Sequence, residues 1–156
     1  MRRKDREITD KAAITAFIAK EQIIRIAFCD DGELYIVPVN YGYLYDENHL
    51  FYFHGAKAGR KYELAKKEPR VGFEIDGTYR LLESESACQF SAVFQSIVGT
   101  GRLSLVEDDA EKITGLNAMM KQATSKTGWD YSAQSLNAVA VFKLVVDKLS
   151  CKARQR

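Results

Sequence analysis

The sequence has little proline, cysteine or histidine: 2, 3 and 2 among 156 residues. Pro38 and Pro69 make no proline-rich linker, and no repeat or low-complexity tract is present, so one domain over residues 1–156 is expected. Cys29, Cys88 and Cys151 are widely spaced and form no CxxC pair. With only His49 and His54 to join them, no metal site is expected, and the thiols read as reduced and structural. No window approaches the ~20 apolar residues of a membrane span, and no apolar signal core opens the chain. The expected location is therefore cytoplasmic, without a membrane partner. A large charge of one sign is also missing: the net charge is +2. There is no basic face interleaved with stacking aromatics, so nucleic acid is not an expected partner. The basic ends "MRRKDR" and "CKARQR" read as solvated tails.

Apolar and aromatic residues, by contrast, are ample. A hydrophobic share of 46% allows a real core. A helix is expected from about Asp10 to Lys20, with Ile14, Phe17 and Ile18 on one face and Thr9 or Asp10 as its cap. "QIIRIAF" and "ELYIVPVNYGY" flank "CDDG" and predict a hairpin. Pro38 places the second strand at an edge or a bulge. "YDENH" predicts a turn and "LFYFH" a third strand. "AGRKYELAKKEP" predicts a short helix ending near Lys67 or Glu68, ahead of Pro69. "RVGFEID" predicts a strand closed by a turn at "GT". "ACQFSAVFQSIVGTGRLSLVE" predicts one or two strands, with Gly99 and Gly101 marking a bend or a close backbone approach. Asp108 and Glu111 have capping-box spacing ahead of a helix whose Ile113, Leu116, Met120 and Ala123 share a face. "LNAVAVFKLVVDKLS" predicts a closing strand buried on both sides. Six or seven strands and three helices in this order fit an antiparallel barrel.

The stretch "HGAKAGRK", His54 to Lys61, carries the chemical interest. A strand delivers the chain to Gly55, and a helix starts near Ala58 or Gly59. Arg60 and Lys61 then put two cations at a helix start, where cations are unfavourable. Two readings follow from this stretch alone: a solvated basic turn, or a phosphate site. His54 by itself reads as an ordinary polar strand end. "VGTGRLS" lacks the strand–turn–helix context of a dinucleotide fingerprint, so no nicotinamide site is expected. No Ser–His–Asp set and no paired carboxylates in an apolar setting are present. The aromatic cluster from Tyr35 to Phe53 reads as core, with a site for a flat ligand as the alternative.

Taken in order, "IVPVNYGY", "LFYFHGAKAGRKYELAKKEPRVGFEID" and "FQSIVGTGRLSLVED" resemble the pyridoxamine 5′-phosphate oxidase-like flavoproteins, nearest the nitroimidazole-resistance branch. The resemblance covers roughly Arg3 to Lys152. It implies a mainly β fold with helices: an antiparallel split β-barrel that binds FMN at a homodimer interface. By resemblance, Arg60 and Lys61 hold the FMN phosphate, with Gly55, Ala56 and Gly59 beside it. Val39, Asn40 and Tyr41 run along the flavin, and Ser96 reaches it. His54 matches a histidine near the flavin in that branch and is the candidate catalytic residue, a proton donor beside the ring. The chain lacks the closing Arg-Leu-Pro segment of true pyridoxamine phosphate oxidases, which argues against pyridoxal phosphate synthesis. Phe94-Gln95 stands where an aromatic-arginine pair is frequent, so no exact substrate carries over. "GWDYS", Trp129 to Ser132 with its preceding glycine, reads either as a cover for the flavin or as an aromatic plug. The expected function is an FMN-dependent oxidoreductase passing electrons to a small flat acceptor, such as a nitroaromatic or a quinone. The alternatives are a non-catalytic flavin carrier, store or sensor, and the same barrel holding haem or a deazaflavin.

Overall fold

Helix α1, Lys11–Lys20, begins where the Asp10 carboxylate accepts a hydrogen bond from the Ala13 amide at 2.8 Å. That bond satisfies one of the amides a helix start leaves unpaired. Ile14, Phe17 and Ile18 face the core, as their spacing predicts. The structure, a computed structural model, describes residues 3–154; the outermost residues of both basic ends lie outside the described residues.

After a two-residue strand β1, Glu7–Ile8, and α1, the chain forms β2, Ile23–Asp30, and β3, Glu33–Asn40. Asp31 and Gly32 turn between them with φ of 51° and 90°, the left-handed pair that a tight hairpin requires. Next come β4, Gly42–Asp46, and β5, Asn48–Ala56. Helix α2 is Arg60–Ala65, followed by β6, Arg70–Leu82, and β7, Ser91–Val106. Helix α3, Asp109–Thr124, and helix α4, Ala133–Ala138, precede the closing strand β8, Val139–Arg154. The strands form one sheet in the order β3-β2-β6-β7-β8-β5-β4, with β1 on β8, and every pairing is antiparallel. The core lies inside the curl of this sheet, where Phe28, Phe51, Phe53, Ile75, Leu103 and Phe142 are buried.

Several expectations change. "ELYIVPVNYGY" is two strands: β3 pairs with β2 and stops at Asn40, whereas β4 pairs with β5. Tyr41 turns inward between them and is 1% exposed. Gly42 then meets the backbone of Ala118 and Met119 so closely that a Cβ has no room. The barrel splits here because α3 packs on the strand itself. The expected turn at "GT" is instead a bulge, and β6 continues to Leu82 with a register shift between Gly77 and Arg80. Thr78 adopts φ 55° there, which supplies the kink without ending the pairing. Leu136 to Ala138 belong to α4, capped by Ser132, and β8 starts only at Val139. Gly99 and Gly101 do mark close approach, to the backbone carbonyls of Lys148 and Val145.

At α3 the Asp108 carboxylate accepts from the Glu111 amide at 2.8 Å. Glu111 does not return the bond as a capping box would. Its carboxylate instead accepts from Lys143 at 2.6 Å and from the Tyr52 hydroxyl at 3.1 Å, which ties α3 to β8 and β5. The buried face of α3 is Lys112, Gly115, Leu116, Ala118 and Met119, rotated from the expected one, and Ala123 is exposed. Gly115 leads because the Tyr52 ring occupies the space of a side chain there.

Candidate functional site

Strand β5 is covered unevenly. Its pairing with β4 ends where Gly42 meets Tyr52. From Phe53 to Ala56 it pairs only with β8, in register with Phe142 to Val139. Among the described residues no strand covers the other edge of that segment, so its outward peptide groups are free to bind a ligand. Side chains alternate along it: Phe53 and Gly55 face one way, His54 and Ala56 the other.

On the Gly55 side the chain turns through Gly59 into α2. Gly59 has φ 90° and ψ 169°, a region that is essentially glycine's alone. A Cβ there would meet nothing within 4 Å, so the backbone is open to approach. Lys61 folds back over the aromatic end of the core. Its ammonium lies 5.4 Å from the Phe53 ring centre and 5.0 Å from that of Phe142, which stack on each other at 4.9 Å. A Cβ on Gly55 would lie 3.2 Å from Lys61 Nζ, so glycine makes room for the ammonium. Burial lowers the Lys61 pKa, and no carboxylate of the described residues pairs with it within 4.0 Å.

Arg60 is arranged differently. Its Nε donates to Asp30 Oδ2 at 3.2 Å, and its Nη2 lies 3.1 Å from the same oxygen and 3.4 Å from Glu33 Oε2. The guanidinium also lies 4.9 Å over the Tyr35 ring. The chain thus supplies its own anions for one of the two cations at the start of α2, and leaves the other without one.

On the His54 side a cavity of about 310 Å³ opens between β5 and α3. His54, Asn40 and Tyr41 line it together with Leu116, Met119 and Tyr131. Asn40 Nδ2 donates to the Gln22 carbonyl at 3.3 Å. The Tyr41 hydroxyl donates to the Ile18 carbonyl at 2.6 Å, and burial pushes its pKa up. Gln122 fixes the far wall: its Nε2 donates to the carbonyls of Ile18, Ala19 and Glu21 at 2.8, 3.1 and 2.7 Å. Ile18 and Ala19 lie in the last turn of α1, whose carbonyls have no partner within the helix, and Glu21 follows it, so α3 is clamped to the end of α1. The Tyr131 hydroxyl is shielded from solvent and has no hydrogen-bond partner among the described residues.

The remaining predicted residues lie in other places. Val39 is half-buried in β3, opposite Ile24, and Ala56 is exposed on the open part of β5. Ser96 is not brought to either side of β5. It pairs between Asp76 and Lys152, ten residues along β7 from Val106, on the order of 30 Å. Sequence reasoning missed the Asp30 and Glu33 partners of Arg60, because "CDDGE" reads only as turn chemistry. It also missed the methionines of α3 as cavity lining, and left Tyr131 undecided inside "GWDYS". No group of three or more metal-ligating side chains occurs among the described residues, and no helix of these residues is long and apolar enough to cross a membrane.

An antiparallel sheet curled around one core, split at Tyr41 and flanked by helices, defines a split β-barrel of the mainly β class. The chain belongs to the Pyridoxamine 5'-phosphate oxidase family, whose sequence profile matches residues 10–153. Among solved structures, it is similar to a candidate 5-nitroimidazole antibiotic resistance protein from Bacteroides thetaiotaomicron. That match has 28% identity and a TM-score of 0.81, and covers 94% of this chain and 86% of the other. The flavocytochrome Anf3 from Azotobacter vinelandii matches at 21% identity and a TM-score of 0.80, over 100% and 72% of the two chains. A FAD-binding protein from Mesorhizobium loti matches at 19% identity and a TM-score of 0.65, over 96% and 98%. The last two support the fold alone. A search of curated proteins finds no match.

Proposed function

We propose that this protein is an FMN-binding flavoprotein that acts as an oxidoreductase on a small flat acceptor. The observation that carries the proposal is the pair His54 and Gly55. Consecutive on the open edge of β5, they touch the cavity on one side and the unpaired Lys61 ammonium on the other. An elongated ligand with an anionic end and a flat uncharged ring fits that arrangement. Helix α2 has only six residues, so the attraction for phosphate comes from side chains and the Gly59 backbone rather than from a long helix. FMN, rather than the FAD bound by the Mesorhizobium loti relative, suits a grip whose two cations meet a terminal phosphate.

When bound, the flavin supplies the redox chemistry, which the side chains of this chain cannot. Lys61 holds the phosphate, and Arg60 joins after exchanging Asp30 and Glu33 for it. Asn40 and the free peptide groups of β5 orient the ring. His54, exposed on the cavity wall, donates or accepts a proton at its imidazole nitrogens.

A homodimer completes the proposal. Leu34, Ile36 and Val98 are 79%, 62% and 49% exposed on the outer face of β3, β2, β6 and β7. Ser96 lies on that face too, so it enters a flavin site only from a second copy. The purified protein should take up FMN, absorb as a yellow flavoprotein, bleach on reduction, and elute as a dimer. A colourless protein that ignores added FMN would sink the proposal.

A further inference from the structure

We infer that the groove between α1 and β4 is a small-molecule site, separate from the proposed flavin site, and that it takes a planar aromatic carboxylate. The inference does not rest on the flavoprotein reading.

Two adjoining cavities of about 460 and 490 Å³ form this groove, and they share Thr15, Ala19 and Tyr45. Both fall within the roughly 300–1,000 Å³ typical of small-molecule sites. One wall is α1, where the short side chains of Ala12, Ala16 and Ala19 leave room. The other wall is aromatic. It consists of Tyr45, which is 50% exposed, and His49, and their rings meet edge to face at 5.1 Å. A flat ring fits between the two walls and packs on Tyr45. The groove lies apart from the His54 cavity. Ala118, Lys121 and Gln122 of α3 border the groove, whereas Leu116, Met119 and Met120 border the cavity.

Charge selects an anion. Lys11 lines one of the two cavities and Lys121 the other, and no carboxylate lines either. Neither ammonium has a carboxylate within 4.0 Å among the described residues. His49 adds a directed donor. Its Nδ1 lies 2.8 Å from the Tyr43 hydroxyl, and burial raises the Tyr43 pKa, so that hydroxyl stays protonated and donates. Burial and the nearby Lys11 charge lower the His49 pKa, which keeps the ring neutral. A neutral ring that accepts at Nδ1 carries its proton on Nε2, and Nε2 has no partner among the described residues. Lys11 and His49 line the same cavity. A carboxylate between them would gain charge-assisted hydrogen bonds while its ring lies along Tyr45.

The probe is 2-naphthoate, with 2-naphthamide as its uncharged counterpart. Binding to the full chain is measured by calorimetry, with and without FMN, and located by the imidazole NMR signals. His49 and His54 are the only histidines, one in the groove and one in the cavity beside β5, so these signals tell the two places apart. Wild type should bind 2-naphthoate equally with and without FMN, with a shift at His49 and none at His54. The amide should bind roughly tenfold more weakly. Lys11→Ala should weaken binding of the acid roughly fivefold, the scale of an exposed ion pair, and leave binding of the amide unchanged. Ala16→Glu puts a carboxylate at an exposed position of the α1 wall. It should abolish binding of the acid and leave FMN uptake as it was. Absence of binding by wild type, equal binding of acid and amide, a shift at His54 in place of His49, displacement by FMN, or full binding by Ala16→Glu would each overturn the inference. So would His49 signals that move with protein concentration alone, which would assign the groove to a second copy of the chain. The expected groove results in a protein that takes up no FMN would support the inference and overturn the flavoprotein proposal instead.

Discussion

Lys61 and Tyr131 sit on opposite sides of β5, and each leaves one polar group without a partner. The kinds of group differ. Lys61 is a half-buried cation against two aromatic rings, and what it lacks is an anion. Tyr131 is a neutral donor whose hydroxyl is closed off from solvent behind a mostly apolar cavity. The first side recognises charge, so its binding depends on salt and pH. The second is mostly apolar, so it recognises shape and depends little on salt. Two consecutive residues, His54 and Gly55, join the sides, and a ligand that uses both must lie along the open edge between them.

The contrast is broken most directly at Lys61. Lys61→Ala should weaken FMN binding by about 10- to 100-fold, the loss of a charge-assisted contact. Flavin fluorescence titrations check this. The melting temperature should change little, since the substitution removes a partly buried charge without an anionic partner and, with it, a cation–aromatic contact to Phe53 and Phe142.

Within the charged side, Arg60 is the weaker anchor because it must first leave Asp30 and Glu33. Arg60→Ala should cost less than tenfold in FMN affinity. Asp30→Asn should raise it by up to about fivefold, by removing a competing, partly exposed ion pair worth no more than about 1 kcal/mol. Isothermal titration calorimetry of both variants decides the order; a loss of affinity in Asp30→Asn would show that the pair positions Arg60 instead of competing for it.

The smallest expected effect is in pH. Burial sets the folded pKa of Lys61 below the ordinary lysine value of 10.5, and only the protonated form attracts phosphate. FMN affinity should therefore be highest between the second phosphate pKa, about 6, and that depressed lysine pKa, and decline as pH rises through the latter, before 10.5 is reached. Protein stability carries the opposite sign: between the depressed pKa and 10.5 the unfolded chain binds the extra proton, so stability gains slightly as pH rises.

Local features were legible in the sequence. Asp10 and Asp108 announced helix starts, and the passage from strand through glycine into a basic turn was visible in "HGAKAGRK". The family order of motifs gave the split barrel. What stayed hidden depends on contacts between distant segments. Nothing in "CDDGE" says that its carboxylates meet Arg60, because that requires the β2–β3 tip to lie against α2. The break at Tyr41 is invisible in an unbroken strand-like run, since its cause is the backbone of α3 against Gly42. Helix α4 merged into the apolar run that follows it, although Ser132 was a cap signal in plain view. Tyr131 stands in a segment with no periodicity, and only the packed structure shows its hydroxyl without a partner.

The central claim is that the charged side of β5 grips a phosphate through Lys61. It is tested most directly by titrating wild type and Lys61→Ala with FMN and with riboflavin, which lacks only the phosphate. Wild type should prefer FMN by at least about tenfold, the scale of one charge-assisted contact. That preference should collapse in the variant through loss of FMN affinity alone. Equal binding of FMN and riboflavin by wild type, or a preference that survives the loss of Lys61, would contradict the account.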